Sequence, residues 1–122
     1  MDMNGIMNIF CSMGKFTPNQ TEPYVGLINV ASKDIFSRVR EDVDLEEAAP
    51  RLNYVCAAEA FYRYCLIEYA NAAGGKVRAG ILSVESDTDG IIIRAKKIRD
   101  ESLIAASDIL TYDREFLFRQ VI

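Results

Sequence analysis

The sequence predicts a mainly α protein: a three-helix core with a small β element. Two observations point there. Apolar residues recur at helical spacing over 22–40, 51–73 and 91–109. Alternation of the strand kind is confined to 77–86, and the turn residues Gly74-Gly75 and Ser86-Asp87-Thr88-Asp89-Gly90 fall beside it. The β element is expected as a hairpin, or as strand 77–86 paired with the apolar run 116–121.

The 122 residues suit one domain, large enough to bury about two-thirds of its unfolded surface. Residues 1–20 read as an N-terminal extension and 21–122 as a single helical domain. In the extension, Ile6, Ile9, Phe10 and Met13 share one face of a short helix that can dock. It has no basic n-region, and its apolar run is too short to span a bilayer. The first main helix is expected over 22–40, capped by Thr21 with Pro23 in its first turn. Tyr24, Leu27, Ile28, Ala31, Ile35, Phe36 and Val39 form its apolar stripe.

Asp44-Leu45-Glu46-Glu47 has capping-box spacing. Pro50 either delays the next helix by a turn or sits in its first turn. From 51 to 73 the pattern is helical and apolar on several sides. Leu52, Val55, Tyr62, Cys65, Leu66 and Tyr69 form one seam, and Tyr54, Phe61 and Tyr64 fall elsewhere. Such a helix is central to a core or covered by a partner. Gly74-Gly75 is the expected stop. A third helix is expected from Asp89 or Gly90, with Ile91, Ala95, Ile98, Ser102, Ala105 and Ile109 on its inner face. Ile91-Ile92-Ile93 fits a second hairpin strand equally well. The closing run Phe116-Leu117-Phe118-Arg119-Gln120-Val121-Ile122 is too apolar to stay in water, so it is expected to dock on its own domain or on another chain.

The reagents of catalysis are scarce. Histidine is absent, which excludes a Ser-His-Asp or Cys-His site within this chain. The net charge of −4 and pI of about 4.8 argue against a basic nucleic-acid groove. Cys11, Cys56 and Cys65 have no paired spacing, as suits buried thiols in a reducing compartment. Glu85, Asp87, Asp89 and Gly90 imitate the start of an EF-hand loop, but Lys96 stands where the bidentate Glu belongs. Gly74-Gly75-Lys76 lacks the other residues of a phosphate loop. No catalytic, cofactor or metal residues are therefore expected, and the chain does not read as an enzyme. Tyr54, Phe61, Tyr64, Phe116, Leu117, Phe118 and Val121 are the candidate subunit or partner interface, because aromatic residues favour protein interfaces.

One resemblance runs through the second half. Arg78-Ala79-Gly80-Ile81-Leu82-Ser83-Val84 precedes an acidic turn. Ala95-Lys96-Lys97-Ile98-Arg99-Asp100-Glu101 and Ala105-Ala106 follow, then Tyr112-Asp113 and Phe116 to Val121. This pattern resembles the small head–tail connector (adaptor) proteins of tailed bacteriophages and prophages. The resemblance implies a structural virion neck protein that forms a ring with copies of itself. Its implied neighbours are the portal protein and tail-side neck proteins, with DNA passing non-specifically through the lumen and no membrane contact. It further implies a host bacterial cytoplasm during assembly and the virion afterwards. The residues alone leave open a second reading, a small helical regulatory or protein-interaction module such as an antitoxin-like dimer.

Overall fold

The computed structural model describes residues 1–78 and 83–111, and the side chains of 1–69 and 90–111 within them. The chain is mainly α. In order come α1 (Met3–Gly14), α2 (Pro18–Thr21), a 3-10 turn (Glu22–Tyr24), α3 (Val25–Phe36), α4 (Leu45–Arg78) and α5 (Ser83–Ala105). Helix α4 is the spine, and α1, α3 and α5 each pack against it.

Local chemistry explains the starts of α1 and α4. The Asp2 carboxylate accepts from the Gly5 N–H at 3.0 Å and from Asn53 Nδ2 at 3.1 Å, so the cap of α1 is also its tether to α4. Helix α1 ends at Lys15, whose φ of 56° is left-handed, and the Phe16 ring folds over Gly14 where a Cβ would collide. Asp44 caps α4 by accepting from the Glu46 N–H at 3.1 Å.

Several expected boundaries are corrected. Thr21 does not cap the first main helix; it is buried inside α2. The operative start signal is Thr17-Pro18-Asn19-Gln20, a reciprocal capping box with Pro in the first turn. Glu22 keeps right-handed helical geometry ahead of Pro23, and a 3-10 turn occupies 22–24 before α3 begins at Val25. Pro50 neither delays α4 nor lies in its first turn. It lies inside the helix a turn further on, where the N–H it lacks would have served the carbonyl of exposed Glu46. Gly74-Gly75 does not stop α4, which runs to Arg78. Glycine in a helix costs only about 1 kcal/mol, and Ala72, Ala73 and Lys76 beside it are strong helix formers.

The strand expected over 77–86 is overturned at 77, 78 and 83–86, which are helical. Residues 79–82 and its expected partner run 116–121 lie outside the described residues. Helix α5 starts at Ser83, so the acidic 85–89 stretch is its opening turns and forms no EF-hand-like loop. Carboxylates there complement the positive end of the helix dipole. Ile91-Ile92-Ile93 is likewise helical. Among the described residues the β structure is one isolated antiparallel bridge, Val39 with Leu110. The Arg40 N–H donates to Ile109 O at 3.0 Å and the Thr111 N–H to Arg38 O at 2.6 Å, pinning the chain after α5 to the chain after α3.

The core is continuous across all four longer helices. Ile6 and Phe10 of α1 are fully buried beside Ile28, Ala31 and Ile35 of α3, Leu52 and Val55 of α4, and Ala95 and Leu103 of α5. Every residue from Val55 to Ala60 is buried. Cys56, Ala57, Ala58 and Ala60 are small enough for neighbouring helices to approach on three sides. Of the inner face expected for the third helix, Ala95, Ser102 and Ile109 are buried and Ile91 and Ile98 half-buried, whereas Ala105 is exposed; Arg99 and Ala106 are buried in addition. Phe10→Ala should lower the unfolding free energy by roughly 3–5 kcal/mol, whereas Ile104→Ala should change it by less than about 0.5 kcal/mol. Denaturant unfolding of the two variants checks both values.

Candidate functional site

The seam between α4 and α5 gathers the candidate residues that lie within the described side chains. Its first cavity, about 350 Å³, is lined by Pro50, Arg51, Tyr54, Val55, Ile98, Glu101, Ser102 and Ala105. A second, about 420 Å³, lies further along, where Phe61, Tyr64 and Tyr69 of α4 face Ile91, Arg94 and Ala95 of α5. Ile98 borders both. Tyr54 and Phe61 are seven positions apart, about two turns, so they occupy neighbouring azimuths on α4. Tyr54 is 44% exposed. Phe61 is half-buried and Tyr64 buried. Phe116, Leu117, Phe118 and Val121 lie outside the described residues.

Tyr64 is the hub of an aromatic cluster that closes the second cavity from the α1 side. Its ring centroid is 4.9 Å from that of Tyr24, 5.2 Å from Phe16 and 6.0 Å from Phe10 and from Phe61. Phe61 is stacked on Tyr64 and the other three meet it edge-on; such aromatic pairs add about 0.5–1.5 kcal/mol each beyond their buried area. Phe10, Phe16 and Tyr24 were not among the expected site residues, because nothing in their spacing shows that α1 folds onto the middle of α4. The Tyr24 hydroxyl donates to Glu68 Oε1 at 3.2 Å. Removal from water, then Glu68, raise the Tyr24 pKa, and burial raises that of Tyr64. Both phenols therefore act as neutral packing groups near neutral pH.

Beneath the seam lies a chain of charges. Glu59 and Arg99 are almost wholly buried, with Arg99 Nη1 3.5 Å from Glu59 Oε2. The other Glu59 oxygen takes Arg63 Nε at 3.1 Å, and Arg63 Nη2 reaches Asp34 on α3 at 2.7 Å. Arg99 Nε donates to Asp100 at 2.7 Å, and its guanidinium carbon lies 4.5 Å from the Tyr62 ring centroid. Alternating signs and the cation–π contact keep these buried charges compensated. The spacing of Glu59 and Arg63 makes their pairing legible in the sequence; that of Glu59 and Arg99, forty residues apart, is not.

At the outer lip, Arg51 Nη1 donates to Ala105 O at 3.1 Å and to Asp108 Oδ1 at 2.5 Å. The Arg51 guanidinium holds the Asp108 carboxyl below its usual range. This pair fastens the end of α5 to the start of α4. No group of three or more His, Cys, Asp or Glu side chains able to hold a metal ion occurs among the described residues. No helix among them is long and apolar enough to cross a membrane. The seam thus offers packing surface and hydrogen-bonding rims. No protein-family profile, curated protein or solved structure matches this chain.

The buried thiols supply a pH test of this core. Burial pushes the Cys56 thiol from an ordinary 9.0 up to about 12 and the Cys65 thiol to about 11. The unfolded chain loses those protons first, so the stability they contribute is full below pH 9 and is lost as pH rises toward 12. Replacing Cys56→Ala should make the decline above pH 9 shallower than in the unaltered protein. Chemical unfolding at a series of alkaline pH values checks the difference.

Proposed function

We propose that this chain is a structural subunit that acts by assembly, in the way implied by its resemblance to head–tail connector proteins. Copies pack side by side into a ring that contacts a portal protein on one side and tail-side neck proteins on the other. It is made in the bacterial cytoplasm, carried into the virion, and performs no catalysis. The observation that carries this reading is the outer side of α5, where Ile93 is 66% exposed and Ile104 72%. They are eleven residues apart, about three helical turns, so they share one side of the helix.

A second exposed apolar pair, Leu66 and Ile67, lies on α4. Closed rings form through two different, complementary surfaces on each subunit, and these two pairs supply candidates. The net charge of −4 suits a conduit for DNA, since phosphate contacts by Lys and Arg are what would hold the duplex in place.

Light scattering of purified protein should show a concentration-dependent oligomer, alone or with portal protein. Ile93→Asp combined with Ile104→Asp should abolish it without reducing helical circular dichroism. A protein that stays monomeric at every concentration and ignores portal contradicts the reading.

A further inference from the structure

The second seam cavity is the more enclosed of the two, and its lining is of one charge sign. Phe16, Phe61, Tyr64, Tyr69 and Ile91 give it aromatic and aliphatic walls, and its charged lining residues are two cations, Lys15 and Arg94. Both are exposed, so they stand where the cavity meets water, whereas the rings behind them are buried or half-buried. Lys15 comes from the turn after α1 and Arg94 from α5, so two separate elements bring like charges to one apolar opening. Among the described residues neither side chain has a hydrogen bond or ion pair, and the cavity lining includes no carboxylate. Glu68, whose charge bears on Tyr64, is taken up by the Tyr24 hydroxyl. At the first cavity, by contrast, Arg51 is already held by Asp108.

We propose that this cavity binds a free amphiphilic monocarboxylate of the fatty-acid type, its alkyl chain against the rings and its carboxylate between Lys15 and Arg94. The volume of about 420 Å³ is that of a small-molecule site, and such sites are mostly apolar with a few polar groups that fix orientation. Each methylene moved from water to the rings tightens binding about fourfold. An anionic head is attracted by both cations, each worth about fivefold in affinity at 4 Å in water. A neutral head forgoes that gain, and a cationic one is repelled. The inference concerns one chain and does not depend on the assembly reading.

Isothermal titration calorimetry of the full chain at neutral pH tests this with hexanoate, octanoate, decanoate, 1-octanol and octylammonium. Affinity for the three acids should rise about fourfold per added methylene, and octylammonium should not bind. Lys15 has a φ of 56°, which suits glycine, so Lys15→Gly removes its charge without backbone strain. Lys15→Gly and Arg94→Gln should each weaken octanoate about fivefold and leave both 1-octanol binding and helical circular dichroism unchanged. Arg94→Lys, which keeps the charge, should retain octanoate binding. Three results overturn the proposal: octanoate bound equally well after both cations are removed, octylammonium bound as tightly as octanoate, or none of the three acids bound at millimolar concentration.

Discussion

The arrangement of α4 and α5 depends on a buried ion pair. Two ionised side chains removed from water carry a desolvation penalty of several kcal/mol each. The penalty is offset only where the partners meet, and Glu59 meets Arg99 in one register of the two helices. A slip of α5 by one turn, about 5.4 Å, would carry the Arg99 guanidinium away from Glu59. The pair is therefore a device of specificity more than of strength. Its extension through Arg63 to Asp34 brings α3 under the same constraint.

Around that pair the helices are kept close by subtraction. The Val55–Ala60 stretch is buried throughout and mostly small. Larger groups are set at its ends: Leu52 toward the N-terminus and the rings around Tyr64 toward the C-terminus. The wide end is filled by α1, whose Phe10 stacks with Phe16 and meets Tyr64 edge-on. Helix α1 thus completes the core that α3, α4 and α5 leave open. Among the described residues, the exposed apolar side chains include Tyr54 on the seam, Leu66 and Ile67 on α4, and Ile93 and Ile104 on α5.

The sequence made some of this legible and hid the rest for definite reasons. The mainly α class and the central place of the 51–73 segment follow from apolar periodicity, as does the inward face of α1 through Ile6 and Phe10. Asp44 was readable as a cap because capping chemistry is local. Thr21 misled because Thr17, four residues earlier, satisfies the same rule with a better-placed Pro. The glycine pair at 74–75 and the apparent alternation at 77–86 misled because each is only a propensity, and helix continuing from both sides overrode them at 77, 78 and 83–86. Arg99 stayed hidden because a charged residue reads as solvent-facing until its partner on another helix is known. Tyr54, Phe61 and Tyr64 were singled out for their chemistry and read as lying off the main seam of the helix; Tyr54 lines one cavity between α4 and α5, and Phe61 and Tyr64 line the other.

The claim that register is set by Glu59 and Arg99 is tested most directly by a double-mutant cycle with Glu59→Leu and Arg99→Met, read by denaturant unfolding. Either single change breaks the contact between the two helices and should cost about 3–5 kcal/mol, while the double variant should cost less than the sum of the two. If the two single costs simply add in the double variant, the pair does not organise α4 and α5, and the account of the fold built on it is contradicted.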